Sequence, residues 1–321
     1  MDLTLAICMY NAARYIEETL QCIIAQTMQD FHLLIVNDCS TDNSAELVTC
    51  FFQNTPRQYE LVNFTKNGGL CAGRRYVEEH ANTKYLLFVD ADDCPYPTFV
   101  EKLYKKISSD RDLIAVGCYL EYMNLQSKKI SGGIFIGKTT KEEFYRKASQ
   151  EKLIFMASTS IYDRECALSV GGHNLNGFPE GKPRYQDLCE DLDLWTRMSD
   201  LYKEGKAIVV IPEVLYRYRK GDGMSLSSLG MILRMRHIKT NLKLRRQGKE
   251  ELSFIEFRDS MSEEELKKIE KDALAADNLR NAYYQFKKGH IIKSLRHLSV
   301  SVKNKPSYLV DKIKHNIFRM K

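Results

Sequence analysis

One segment reads Tyr85-Leu86-Leu87-Phe88-Val89-Asp90-Ala91-Asp92-Asp93, in which five apolar residues run directly into a cluster of three acids. A continuous apolar run of this length is typical of a strand that is buried on both faces of a parallel sheet. The acids then lie in the loop at the carboxyl end of that strand, which is where open α/β sheets bind their ligands. The segment therefore predicts a buried strand and the edge of the sheet at which a site lies.

Neighbouring parts of the chain repeat this arrangement of an apolar strand followed by polar residues. The other strands and the polar residues that follow them are Leu3 to Cys8 with Tyr10-Asn11, Phe31 to Val36 with Asn37-Asp38, and Tyr59 to Phe64 with Asn67. Segments with helical spacing of apolar residues lie between them. The alternation predicts an α/β fold with an open, mostly parallel sheet flanked by helices, whose polar strand ends converge on one edge.

The composition changes after about Ser228. Glycine becomes scarce, Lys and Arg increase, and the apolar spacing becomes helical, with a helical hairpin expected from Asp277 to Val302 and a break near Gly289. We therefore predict an α/β domain at residues 1–228 and a basic helical extension at residues 229–321. From Lys287 to the end there are ten Lys or Arg against one acid. Such a surface either binds an anionic partner or is a solvated helix face.

The bulk composition is that of a globular protein. The chain has 321 residues, of which 44% are apolar and 28% charged, and its formal net charge is +6. Nine cysteines without a CxxC pair predict reduced thiols and a cytoplasmic location. The start lacks the basic region of a signal peptide, and no stretch approaches the ~18 apolar residues of a membrane span.

The positions of the glycines argue against two common nucleotide sites. The first glycine is Gly68, so no glycine-rich turn follows the first strand, as a dinucleotide site requires. The segment from Gly68 to Arg75 has the glycine spacing of a P-loop, but Arg74 and Arg75 replace its Lys and its Mg²⁺-binding hydroxyl. A guanidinium repels a metal ion, so NTPase activity is disfavoured.

The acids at the end of the fourth strand suggest a metal site. Asp90, Asp92 and Asp93 lie so close that each raises the pKa of the others unless a cation intervenes. Mg²⁺ and Mn²⁺ are hard cations that prefer oxygen ligands, and such an ion could bridge a diphosphate. A solvated acidic turn that caps the next helix is the alternative for this cluster taken alone.

Four segments, in order along the chain, resemble the motifs of the inverting family 2 glycosyltransferases, which have the GT-A fold. They are Leu5-Ala6-Ile7-Cys8-Met9-Tyr10-Asn11, Leu34-Ile35-Val36-Asn37-Asp38-Cys39-Ser40-Thr41-Asp42, Phe88-Val89-Asp90-Ala91-Asp92-Asp93 and Glu190-Asp191-Leu192-Asp193-Leu194-Trp195. The resemblance covers about residues 3 to 225. It implies a GT-A type domain that binds a nucleotide sugar and a divalent metal, with the C-terminal helical extension outside the resemblance.

The resemblance also implies a role for individual residues. The implied nucleotide-sugar contacts are Tyr10, Asp38, Asn67, Arg74 and Asp90, the implied metal ligands are Asp92 and Asp93, and the implied general base is Asp191. Asp38 would accept from a ring N–H of the base, for which uracil is expected. Taken alone, Asp38 could simply cap a turn, and Glu190 and Asp191 could be first-turn acids favoured by the helix dipole.

The resemblance implies a metal-dependent, inverting hexosyltransferase that moves one sugar from a nucleotide sugar, with UDP expected, to a glycan or lipid-linked acceptor in surface polysaccharide or glycoconjugate synthesis. The Q-x-x-R-W signature of processive members is absent, which predicts a non-processive enzyme. Where the family often has a histidine near the diphosphate, Arg217 or Arg219 would pair with phosphate. A non-catalytic nucleotide-sugar-binding or regulatory protein is the alternative.

The sequence does not decide between two kinds of partner for the C-terminal helical extension. A basic helical surface predicts either peripheral contact with the inner membrane face or assembly into a homo-oligomer, and no nucleic-acid partner is expected.

Overall fold

The computed structural model describes residues 2–220, 228–287 and 289–307. The chain forms two compact units. The first comprises Met1–Asn176, Cys189–Gly221 and Asn241–Lys249, and the second comprises Gly177–Leu188, Asp222–Thr240 and Glu250–Lys321. The assignment of separate roles to residues 1–228 and 229–321 remains a prediction.

Half of the sheet in the first unit consists of four parallel strands. They are β1 (Leu3–Met9), β2 (His32–Asn37), β3 (Glu60–Asn63) and β4 (Tyr85–Phe88), in the order β3-β2-β1-β4, and the helices that alternate with them are α1 (Ile16–Ile24), α2 (Ser44–Gln53) and α3 (Leu70–His80). Leu5 of β1 is in register with Leu33 of β2 and Leu87 of β4, and all three side chains are fully buried. Because the strands are parallel, their polar carboxyl ends meet at one edge, as predicted.

The other half of the sheet is mixed. Its elements are β5 (Cys94–Pro95), α4 (Phe99–Ser108), β6 (Leu113–Met123), β7 (Lys129–Ile134), α5 (Lys141–Ala148), β8 (Ile161–Asp163), α6 (Arg164–Ser169), α7 (Glu190–Met198) and β9 (Ala207–Arg219). The order continues β4-β8-β6-β9-β5, with β7 paired to β6. β8 is antiparallel to both of its neighbours, whereas β6 and β9 are parallel. The predicted α/β class, with an open sheet flanked by helices, is confirmed.

The second unit is mainly helical, which confirms the helices expected near the end of the chain. It contains most of α8 (Ser228–Arg246) together with α9 (Phe254–Asp259), α10 (Glu263–Lys287) and α11 (Ile291–Asn304). α9 begins at a capping box, in which the Ser253 side chain accepts from the Glu256 backbone N–H and Glu256 accepts from the Ser253 backbone N–H. Gly289 lies between α10 and α11 with φ +78°, where the break was expected. Among the described residues, no helix combines the length and the apolarity that crossing a bilayer requires.

The prediction that all nine cysteines are reduced is wrong for one pair. Cys22 of α1 and Cys94 of β5 form a disulfide, with their Cα atoms 5.6 Å apart. The other seven cysteines are free thiols. The sequence gives no signal for this pair because the two residues are 72 positions apart and meet only when α1 packs beside the loop after β4.

Candidate active site

Asp38 lies directly after β2, and backbone groups of the next loop hold its carboxylate. Its Oδ1 accepts from the Gly68 N–H at 2.7 Å, and its Oδ2 accepts from the Gly69 N–H at 2.8 Å and from Asn67 Nδ2 at 2.8 Å. A Cβ at Gly68 would lie 2.8 Å from the Ala72 Cβ, so only glycine allows this approach. The structure thus brings Asp38 and Asn67 together, and Asn67 orients the carboxylate that is predicted to read the base.

Tyr10 follows β1 at the same edge of the sheet, and half of its side chain is exposed. The backbone N–H of Asp38 donates to the Met9 carbonyl at 2.9 Å, so the ends of β1 and β2 are joined beside it. The exposed ring can therefore stack on a planar ligand, which is compatible with its predicted place beside the base.

Arg74 of α3 is only 2% exposed, and it bridges two acids from distant parts of the chain. One guanidinium nitrogen lies 2.8 Å from Glu190 Oε1, and the other lies 3.2 Å from Asp90 Oδ1. The guanidinium also lies over the Phe88 ring, 5.3 Å from its centroid. This buried cation joins the loop after β4 to the start of α7, where Asp191, the predicted general base, is located.

Glu190 and Asp191 are neighbouring carboxyl groups in the first turn of α7. Burial, followed by the charge of Asp191, raises the pKa of Glu190 to about 7, although Arg74 opposes the shift. Burial also raises the pKa of Asp191, and Arg74 and the Leu192 backbone N–H oppose that rise. An upward shift of the pKa suits general base chemistry, because a base works best when its pKa lies near the working pH.

The carboxylates after β4 differ in their access to a ligand. Asp92 is exposed, yet the protein packed around it, followed by the charge of Asp90, raises its pKa to about 6. Asp93 is fully buried, and its Oδ1 accepts from the Arg219 backbone N–H at 2.6 Å. Among the described residues, no three His, Cys, Asp or Glu side chains are arranged to hold a metal ion. Asp92 is therefore the more accessible of the two predicted metal ligands, and phosphate oxygens would have to supply further ligands.

Arg219 does not have the phosphate-pairing role that the sequence suggested for it. Its side chain is buried, and it donates to the Asp92 carbonyl at 2.6 Å, to Glu18 Oε2 at 2.6 Å and to Ser127 Oγ at 2.9 Å. The Arg219 guanidinium thus donates to acceptors within the protein. It fixes the backbone of the loop Asp90–Asp93, called the acidic loop below. Arg217 is directed toward Cys94 and lies over the Tyr96 ring.

Strained backbone positions lie within two of the four motifs and directly before a third. Asn11, Cys39 and Cys189 have φ values of +50°, +58° and +57°, although none is glycine. Asn11 and Cys39 directly follow the predicted site residues Tyr10 and Asp38, and Cys189 lies two residues before the predicted general base Asp191. Such positions persist only where the surrounding structure requires them, and they cluster at functional sites. The Asn11 side chain accepts from the Thr41 backbone N–H at 2.8 Å, so it fixes the loop after β2 and does not cap α1.

Sequence reasoning missed Glu78, a fully buried acid of α3. It accepts from the His173 backbone N–H at 2.8 Å, from His173 Nδ1 at 2.7 Å and from the Tyr162 hydroxyl at 2.9 Å. His173 is itself buried. A signal was present, since Cys71, Arg74, Val77 and Glu78 share one helical face, and a charged residue on an apolar face requires a buried partner.

Sequence relatives support the glycosyltransferase interpretation over part of their length. The chain is 32% identical over 153 residues to glycosyltransferase GlyA of Streptococcus pneumoniae, a match that covers 48% of this chain and 21% of that protein. It is 27% identical over 251 residues to the hyaluronan synthase of Pasteurella multocida, covering 78% of this chain and 24% of that protein. The matched region thus spans less than a quarter of these two relatives.

Solved structures support the fold. The TarS fragment 1–349 of S. aureus in complex with UDP-GlcNAc has a TM-score of 0.57 and 19% identity, and the match covers 97% of this chain and 92% of that one. The mannosyltransferase PcManGT of Pyrobaculum calidifontis, in complex with GDP-Man and Mn²⁺, has a TM-score of 0.52 and 18% identity over 98% of this chain and 80% of that one.

The family itself is assigned from the sequence. Residues 4–168, just over half of the chain, match the family described as glycosyl transferase family 2. The matched range contains the first three motifs and ends before α7, and the TarS and PcManGT structures share the fold. The chain is therefore a member of glycosyl transferase family 2.

Proposed function

We propose that this protein is a metal-dependent, inverting glycosyltransferase that moves a single hexose-type sugar from a UDP-sugar to a hydroxyl group of a glycan or lipid-linked acceptor. The observation that carries the proposal is the buried bridge from Asp90 through Arg74 to Glu190. It places the acidic loop, where a donor diphosphate is expected, beside Asp191. This contact supports the proposal that nucleotide recognition and proton removal take place in one site.

Asp191 is the general base in this proposal. It takes the proton from the acceptor hydroxyl as that oxygen forms a bond to the anomeric carbon of the donor sugar. The bond from that carbon to the diphosphate oxygen breaks on the opposite face, so one displacement inverts the configuration. The raised pKa of Asp191 supports this role, because it increases the affinity of the carboxylate for the proton it must accept.

Recognition of uracil is proposed for Asp38, with Tyr10 beside the base. The Gly68 and Gly69 N–H groups and Asn67 fix the orientation of the Asp38 carboxylate, which keeps it ready to accept from a ring N–H. The TarS complex with UDP-GlcNAc supports a uridine nucleotide, while the PcManGT complex with GDP-Man means that the fold also accommodates guanine. A panel of donors must therefore include both UDP-sugars and GDP-sugars.

Asp92 is the proposed main ligand of a divalent cation, with Asp90 or Asp93 assisting. The raised pKa of Asp92 and the adjacent charge of Asp90 fit this assignment, because a bound cation relieves both the desolvation and the repulsion. Such an ion would neutralise the charge that develops on the diphosphate leaving group.

The function is tested by UDP and GDP release from a panel of nucleotide sugars with Mn²⁺ or Mg²⁺. We expect release from one donor, loss of activity in EDTA and recovery when metal is restored. Asp92→Asn should lower activity by about 10²-fold or more at fixed metal, in line with several kcal/mol of charge stabilisation by a metal. Asp30→Asn, which changes an exposed acid, is the matched control and should leave the rate unchanged.

Activity that is insensitive to EDTA and to Asp92→Asn would refute the metal assignment but not the transferase. Donor binding without turnover, even with plausible acceptors, would instead favour the non-catalytic nucleotide-sugar-binding protein.

The rate should fall at acidic pH. Because the pKa of Glu190 is raised to about 7 and that of Asp191 is raised as well, the pair takes up a proton as the pH falls through about 7, and the base form is lost. The measurement is kcat/KM against pH at saturating metal. Glu190→Gln removes the neighbouring negative charge, so its acidic limb should lie at lower pH. A flat profile between pH 5 and 8 would contradict the assignment of the base.

We also propose that transfer is non-processive and takes place on the cytoplasmic side of the membrane, where the product enters surface polysaccharide or glycoconjugate synthesis. Products that carry one added sugar support this proposal, whereas a ladder of longer products contradicts it.

A further inference from the structure

The helices α10 and α11 form an antiparallel hairpin that packs through small side chains. Ser294 Oγ donates to the Ala282 carbonyl at 2.7 Å, and Ser301 Oγ donates to the Ala275 carbonyl at 2.8 Å. Ala275, Ala282, Ser294 and Ser301 are all buried. Small residues let two helices approach closely and hydrogen-bond across the interface, which is how helices pack in lipid, where apolar burial gives no driving force.

Large apolar side chains are on the outside of this hairpin, close to Gly289. Phe286, Ile291, Ile292 and Leu295 are 64%, 59%, 86% and 60% exposed. We call these four residues the hairpin tip. Their distribution is the reverse of that in a helical pair stabilised in water, in which the large apolar residues lie between the helices. An exposed cluster of this kind marks an interaction surface.

The hairpin tip lies in a strongly basic region. From Asn278 to Val310 the sequence contains seven Lys or Arg and no Asp or Glu. Lys293 and Arg296 are exposed on α11, within one or two positions of Ile292 and Leu295. All the acids of α10 lie at or before Asp277, and three of them, Glu263, Glu264 and Glu265, are in its first turn. Positive charge is thus concentrated where the apolar side chains are exposed.

We propose that the hairpin tip inserts into the interface of an anionic lipid membrane. Apolar side chains enter the boundary between headgroups and acyl chains, while Lys293 and Arg296 contact lipid phosphates. A second copy of the chain fits less well, because a symmetric contact would bring the same basic side chains of both copies together. The proposal concerns the second unit alone and does not depend on the transferase chemistry.

The test is co-sedimentation of the full chain with phosphatidylcholine vesicles, with and without phosphatidylglycerol. We expect binding only when phosphatidylglycerol is present, and weaker binding at high salt. Lys293→Gln with Arg296→Gln should lower the partition coefficient roughly thirtyfold, which corresponds to about 1 kcal/mol for each basic side chain near an anionic surface. Phe286→Ser with Ile292→Ser should lower it roughly a hundredfold or more, because two large apolar side chains no longer leave water.

Two control variants make the test specific. Phe135→Ser changes a side chain that is 54% exposed in the first unit, and Lys203→Gln with Lys249→Gln removes two exposed charges elsewhere. Both should bind vesicles like the native chain. The proposal is overturned if the native chain does not bind, if the tip variants bind as well as the native chain, or if the tip variants instead abolish self-association in the absence of lipid, which would identify a second copy as the partner.

Discussion

Replacing Asp191 with asparagine should lower kcat by ~10²–10⁴-fold, the usual contribution of a positioned general base. Asparagine has the same shape, and its Oδ1 can still accept from the Leu192 backbone N–H as the aspartate does at 2.7 Å. It cannot take a proton from the acceptor hydroxyl. Donor affinity and melting temperature should therefore stay close to native values, as measured by calorimetry with UDP and by thermal unfolding.

Asp193→Asn is the matched control for Asp191→Asn. Asp193 lies in the same first turn of α7, and its Oδ2 is 3.0 Å from Arg197. Both substitutions remove one negative charge near a helix N-terminus, and both should cost about 0.3–1 kcal/mol through the helix dipole. If the two variants lose activity equally, Asp191 is only a first-turn acid and the assignment of the base is wrong.

Replacing Arg74 with methionine should lower the free energy of unfolding by about 3–5 kcal/mol at pH 8, because removal of one partner leaves the buried Glu190 carboxylate without its cation. The loss should shrink as the pH falls toward 7 and then stay constant below it. Arg74 opposes the rise in the pKa of Glu190, so Glu190 takes up a proton at higher pH in the variant, and its protonation at lower pH removes the unpaired charge. Urea denaturation at pH 6 and pH 8 measures the difference.

Arg75→Met and Arg74→Lys are the controls. Arg75 is the next residue of α3 and makes a partly exposed ion pair with Glu79, so its loss should cost only about 0.3–0.5 kcal/mol. Arg74→Lys keeps the buried charge but loses the simultaneous contact with Asp90 and Glu190. This variant should retain the fold.

The Arg74→Lys variant also tests a positioning role. If Arg74 orients Glu190 and Asp90, the acidic limb of kcat/KM should move to higher pH in this variant. Suppose that the pH profile of kcat/KM is unchanged in Arg74→Lys and that Arg74→Met loses little stability. The bridge through Arg74 then neither positions the carboxyl groups nor stabilises the fold.

The alternation of apolar strands and amphipathic helices was enough to predict the α/β class and the edge of the sheet at which Asp38 and Asp90 lie. Both conclusions follow from local patterns, because a buried parallel strand must be apolar and its carboxyl end must lie beside those of its neighbours. The order of the four motifs then pointed to the family.

Contacts between residues that are far apart along the chain could not be predicted from local sequence patterns. Glu190 is 116 residues from Arg74, and Asp92 and Glu18 meet Arg219 only when β9 and α1 are brought beside the acidic loop. The sequence suggested nucleotide contact for Arg74 and phosphate pairing for Arg219. In the fold, both guanidiniums are buried and donate to protein acceptors.

By itself, the sequence determined the class of fold, the family and the edge that carries the acids, because each depends on residues that are neighbours along the chain or recur at fixed spacing. Only the tertiary structure decided which charges are buried together, that Cys22 meets Cys94, and that the apolar side chains of the hairpin tip point outward. The physical reason is that burial and pairing depend on which surfaces meet when distant segments pack, and that is a property of the fold as a whole.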